Sequence, residues 1–229
     1  MYNGSDASGT GGIRFYSSHD FGVKNVTISD NYISGWAKAF QLLGTLCTGL
    51  ITVNNNIILA GTEDTPLFLT TDVIPTGGDV RLYNNIIFTK GAQCPIKSYG
   101  VASGGSLKIK NNIIGSTASY HDYYILLVAA PVGTFECDYN IYWNSDLAAT
   151  TPFNINGNVS WADWKTATYD TNSPNTAATL DPVFKNASGD YSLRTDFELK
   201  NTSPAINEGT DVDIDYLGTA ADIGAKEKR

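Results

Sequence analysis

The chain has 229 residues, 42% of them hydrophobic and only 17% charged, with 22 Gly and a net charge of -8. That charge repels a phosphate backbone, and the one basic cluster, Lys226, Lys228 and Arg229, reads as a solvated tail, so nucleic acid is excluded as a partner. No run of 18 apolar residues marks a membrane span, and Met1 is followed by polar Tyr2 to Ser5, so a secreted form requires a leader outside these residues.

The first predicted strand is GIRFYS, with Ile13 pointing inward, and Val26 begins the first copy of an Asn-centred unit, VTISDNYI. The unit returns as ITVNNNII from Ile51, VRLYNNII from Val80, LKIKNNII from Leu107 and FECDYNIY from Phe135. Its shared Asn is Asn31, Asn56, Asn85, Asn112 and Asn140, at intervals of 25, 29, 27 and 28 residues. A near-constant period of this size marks stacked units that cannot bury their apolar faces alone.

Before each Asn, apolar residues alternate, as in Val26 and Ile28 or Val80 and Leu82. That is the pattern of a half-buried strand. The Asn is expected at a corner, where successive carboxamides hydrogen-bond in a ladder, and a second short strand follows it, as in Tyr32 to Ser34 or Ile57 to Leu59.

Between the Asn units lie GIRFYS, AFQLLG, PLFLTT, PIKSYG and YILLVA. They align independently, with Ile13, Phe40, Leu67, Ile96 and Ile125 as one inward column spaced 27, 27, 29 and 29 residues. Two alignments of unlike segments give one period. The prediction is an all-β, single-stranded, right-handed parallel β-helix of three parallel sheets and about five to seven coils, with an irregular C-terminal cap. Residues 1–145 are the regular coils and 146–229 the last coil or coils and the cap of the same domain.

After residue 145 the period fades. Ser160 before Trp161 and Trp164 predicts a capped short helix that plugs the last coil, followed by a Pro-broken loop. Cys47, Cys94 and Cys137 have no metal-ligand spacing and read as structural thiols. Asp211, Asp213 and Asp215 alternate on an extended segment and are expected to protect a terminal sheet edge rather than hold a metal.

The run YNIYW, then WADWKTATYDTNSP, LDPVF, GDYSLR, SPAINEG and ADIGA, resembles the C-terminal half of secreted bacterial right-handed β-helix proteins of the pectate lyase-like superfamily. The resemblance implies an extracellular or cell-surface protein, further N-terminal coils, a polysaccharide ligand, lyase chemistry in some members and Ca²⁺ as the only implied cofactor. It also implies a groove on the sheet that contains GIRFYS and AFQLLG.

On that sheet the outward columns are Arg14, Gln41, Phe68, Lys97 and Leu126, and Tyr16, Leu43, Thr70, Tyr99 and Val128. Tyr16, Phe68 and Tyr99 are candidates for stacking on sugar rings. Gln41 and Lys97 are candidates for polar contacts, and Arg14 and Lys97 are the weak candidates for a lyase base. Arg14 and Lys97 are three coils apart, about 14 Å by strand spacing, too far to act on one sugar. No outward position here is acidic, so the carboxylate pair of a hydrolase is missing.

The loop residues His19, Asp20, Glu63, Asp64, Asp72, His121 and Asp122 read as surface groups. Two functions therefore stand open: a polysaccharide-binding protein that also cleaves, lyase-like, and a non-catalytic glycan-binding or adhesin-like surface module.

Overall fold

The computed structural model describes residues 11–15, 22–36, 38–42, 48–60, 65–69, 73–90, 94–117, 123–144, 151–177, 179–186, 191 and 193–225. The strands are β1 (Gly11–Phe15), β2 (Val26–Ser29), β3 (Tyr32–Trp36), β4 (Lys38–Leu42), β5 (Leu50–Asn54), β6 (Ile57–Ala60), β7 (Leu67–Leu69), β8 (Asp79–Tyr83) and β9 (Ile86–Thr89). They continue as β10 (Ile96–Ser98), β11 (Ser106–Lys110), β12 (Ile113–Ser116), β13 (Ile125–Leu127), β14 (Thr134–Asp138), β15 (Ile141–Asn144), β16 (Phe153–Ile155) and β17 (Asn158–Val159). One helix, α1 (Trp161–Thr166), and a 3-10 turn, Arg194–Phe197, complete the described elements.

Every third strand joins the same sheet. The first sheet is β1-β4-β7-β10-β13-β16-β17, the second runs from β2 through β5, β8 and β11 to β14, and the third from β3 through β6, β9 and β12 to β15. All pairs are parallel except β16 with β17, a closing hairpin. The result is the expected parallel β-helix, in about four turns rather than five to seven. After residue 155 the chain leaves the spiral for β17 and α1.

The strands pair in the register that buries one column on each. Ile13, Phe40, Leu67, Ile96, Ile125 and Phe153 are successive partners. Between the second and third sheets, the Asn-Asn pair divides two tasks. The residue before the ladder Asn, namely Asp30, Asn55, Asn84, Asn111 or Tyr139, takes a positive φ of 52 to 59° and turns the chain. The ladder Asn itself faces inward, and the backbone N–H and Nδ2 of Asn31, Asn56, Asn85 and Asn112 donate to Oδ1 of the next Asn at 2.9–3.1 Å. Nδ2 also donates to the second-sheet strand of the preceding coil, as from Asn85 to the Val53 carbonyl at 2.8 Å.

The described residues after residue 150 do two jobs. Ser160 caps α1 by accepting from the Asp163 N–H at 3.1 Å. Its Trp164 is fully buried and stacks on Phe153 with centroids 3.9 Å apart, sealing the last coil. The Leu180 N–H donates to the Tyr142 carbonyl on the last coil, and the described residues that follow run along the outside of the third sheet. Phe184, Tyr191, Phe197, Leu199, Ala205 and Ile223 pack against the outward Ile57, Leu59, Ile86, Phe88, Ile113, Ile141 and Trp143. Gly115 makes this packing possible: it pairs with both Phe88 and Trp143, and without a side chain there the two rings stack at 5.5 Å. A Cβ on Gly115 would lie 2.8 Å from the Trp143 carbonyl oxygen and 2.9 Å from the Phe88 ring.

The thiols Cys94 and Cys137 are buried, 2% and 3% exposed; Cys47 lies outside the described residues. Asp211 to Asp215 form no strand; Asp213 bends with φ 61° and its N–H donates to Asp211 Oδ1 at 2.9 Å. No helix among the described residues is long and apolar enough to cross a membrane.

Candidate functional site

Three outward faces decide where a ligand has access. That of the third sheet lies under the C-terminal strap. That of the second sheet carries the columns Thr27, Thr52, Arg81, Lys108, Glu136 and Ser29, Asn54, Tyr83, Lys110, Asp138. Its charges neutralise one another. Both Nε and Nη2 of Arg81 donate to Asp79 Oδ2, at 2.9 and 2.6 Å, and this hydrogen bond pushes the guanidinium pKa up. Glu136 accepts from Lys110 at 2.7 Å and pairs with Lys108 at 3.5 Å, which holds its carboxyl below the usual range, the Lys110 hydrogen bond contributing most. Sequence reasoning did not single out this face; the alternation of Arg81, Tyr83, Lys108 and Lys110 with buried apolar residues was its signal.

The outward column of the first sheet continues, by backbone register, through Arg14, Gln41, Phe68, Lys97, Leu126 and Asn154. Arg14 and Lys97 stand three rungs apart, so the two candidate bases are not brought together. Gln41 is only 4% exposed despite its outward position. Lys97 is half-buried, and its Nζ lies 5.9 Å from the centroid of the Tyr99 ring, close enough for a cation–π contact. Leu126 is half-buried and Val128 exposed beside them. Tyr16, Leu43, Thr70, His19, Asp20, Glu63, Asp64, Asp72, His121 and Asp122 lie outside the described residues.

Beyond Leu126 the structure adds a polar group that the sequence reading omitted. The Tyr123 hydroxyl and Asn154 Nδ2 both donate to Asn158 Oδ1, at 2.7 and 3.2 Å, and Asn154 Oδ1 accepts from the Gly157 N–H at 3.0 Å. Phe153 follows Ile125 by 28 residues, within the period of the inward column, so extending that alignment past residue 145 would have found Asn154.

A shallow, open hollow of about 470 Å³ is lined by Asp211, Asp213, Ile214, Asp215 and Tyr216. Among the described residues no three metal-ligating side chains converge. Comparison of the chain with protein families, with curated proteins and with solved structures finds no match to any of them.

Proposed function

We propose that the chain is an extracellular, carbohydrate-binding β-helix of the pectate lyase-like kind that holds an extended glycan along the outward face of its first sheet, and that it binds without cleaving. The observation that carries this reading is the strip formed by Lys97 over Tyr99, then Leu126, then Asn154, Asn158 and Tyr123. An aromatic face, a cation and amides with a hydroxyl are the groups that sugar rings, uronate carboxylates and ring hydroxyls require. From the Lys97 rung to the Asn154 rung the strip spans roughly 10 Å, the length of a short oligosaccharide. Against cleavage stands the three-rung separation of Arg14 from Lys97.

The test is a glycan array followed by incubation with uronate and neutral polymers, with and without Ca²⁺, monitored for unsaturated product ends. Binding that falls at least about tenfold in the Lys97→Ala, Tyr99→Ala double variant, with no product, is the expected result. Product formation would overturn the non-catalytic part. Binding unchanged by the double variant would show that another face holds the glycan.

A further inference from the structure

A tight turn, Asn156–Gly157, closes the β16–β17 hairpin on the last coil of the first sheet. Both residues are exposed, with φ of 51° and 140°, and Asn before Gly is a pair that hairpin turns favour. The same pair carries a chemistry of its own. A bond from the next backbone nitrogen to the Asn carboxamide carbon closes a small unstrained ring, and Gly puts no side chain in its way.

The surroundings leave this turn open. A Cβ on Gly157 would meet no atom within 4 Å, and the Asn156 carboxamide makes no hydrogen bond among the described residues. Two other Asn that precede small residues are tied down: Asn172 Nδ2 donates to Asp138 Oδ2 at 2.8 Å, and Asn186 Nδ2 to Asp196 Oδ1 at 2.7 Å. The second Asn-Gly pair of the chain, Asn3–Gly4, lies outside the described residues.

One contact restrains the reaction. The Gly157 N–H donates to Asn154 Oδ1 at 3.0 Å, which keeps the proton on the nitrogen and fixes the peptide plane. The nitrogen that has to attack is therefore the one that Asn154 holds. Asn154 is tied in turn to Asn158 Oδ1, which also accepts from the Tyr123 hydroxyl.

We propose that Asn156–Gly157 is a site of spontaneous, enzyme-free covalent modification, and that Asn154 gates it. When the bond to Asn154 opens, the Gly157 nitrogen loses its proton to water and attacks Asn156 Cγ. The N–Cγ bond forms, the Cγ–Nδ2 bond breaks, and Nδ2 takes up a proton and leaves as ammonia. Water then opens the cyclic imide. Cleavage at Cγ gives aspartate, and cleavage at the main-chain carbonyl carbon gives isoaspartate, with the backbone routed through the side chain. One water enters and one ammonia leaves, with no oxidant or reductant.

Isoaspartate lengthens the backbone of the turn, so the register of Phe153 with Val159 and of Asn154 with Asn158 is lost. Either product adds a carboxylate beside the cluster of Tyr123, Asn154 and Asn158. That cluster ends the strip proposed for the glycan, and on that reading an aged chain holds an acidic glycan less tightly.

The experiment is incubation of the full chain in mildly alkaline buffer, followed by peptide mapping that separates aspartate from isoaspartate. Residue 156 of the folded chain is expected to convert, and Asn154→Ala to convert at least about twofold faster, the worth of one exposed hydrogen bond. The chain unfolded in urea is the ungated reference and converts faster than both. Asn156→Gln, whose longer side chain closes the ring poorly, keeps its amide. A folded chain that stays unconverted while the unfolded one reacts overturns the site, and this wild-type measurement stands even if Asn154→Ala does not fold. Equal rates in wild type and folded Asn154→Ala overturn the gate. Hydrogen exchange of the isolated isoaspartate form reads the hairpin, and unchanged protection from Phe153 to Val159 overturns the loss of register. None of these readouts involves a glycan, so a fresh chain that binds none counts against the glycan reading and leaves the modification standing.

Discussion

The second and third sheets are built from adjacent strands of the same repeat, yet their outer faces are opposites. In β5, β8 and β11 the outward Thr52, Arg81, Lys108 and Lys110 are half-exposed and alternate with buried residues, the outward Asn54 and Tyr83 being buried as well. In β6, β9, β12 and β15 every residue is buried, because the strap packs Phe184, Phe197 and Ile223 onto the outside. A face is apolar here when another part of the chain is destined for it. One solenoid thus carries two hydrophobic cores on the two sides of a single sheet.

Several variants sharpen that contrast. Trp143→Ala removes a ring that stacks on Phe88 and meets Phe184 and Tyr191, and is expected to cost about 3–5 kcal/mol in a denaturant melt. Lys110→Ala, on the outer face of the second sheet, should cost under about 1 kcal/mol. An equal loss in the two would erase the distinction between the faces.

Asn85→Leu strands the backbone N–H of Asn56 and removes one of the acceptors of its Nδ2, which keeps the Ile28 and Asn54 carbonyls, and is expected to cost about 2–4 kcal/mol; an unchanged melting temperature would count against the ladder as a stabilising element. Gly115→Val fills the gap between Phe88 and Trp143 and should cost about 1–3 kcal/mol, with a loss of near-ultraviolet aromatic signal as the rings separate.

Burial pushes Tyr83 of the second sheet and Tyr191 of the strap up to about 12, from an ordinary value of 10.0. Both favour the neutral form in the folded chain, so their contribution is complete below pH 10 and is lost as pH rises toward 12. Melts across that window should show stability falling, and Tyr191→Phe should flatten the fall; an unaltered slope would sink the assignment. The smallest effect belongs to Glu136→Gln, expected to cost well under about 1 kcal/mol and to vanish in high salt, because its ion pairs are half-exposed.

The three-sheet spiral was legible because the Asn units and the Ile13 column repeat with one period while sharing no residues. What the sequence left unseparated was the Asn-Asn pair. Asn84 and Asn85 are the same residue type, but one bends the chain with φ 52° and the other enters the ladder. The strap was harder still. Its signal lay in the unbroken apolar runs of IILA, IIFT and IYWN, which mean burial on both faces, but nothing in a run says which distant segment supplies the cover. The candidate site was less legible than the fold, since the proposed glycan face would need no fixed spacing, and the Asn154 group appears only once the last coil is counted.

Because each rung of the ladder is made by one coil and passes its donors on unchanged, any coil can stand for any other between the two ends. A duplication or deletion of one whole period, 27 to 29 residues in the middle of the stack, leaves both ends of the stack and every register intact, while a change of half a period breaks them all. The length of such a protein can therefore evolve in whole turns, and a glycan-binding strip laid along the first sheet would lengthen or shorten by the same unit.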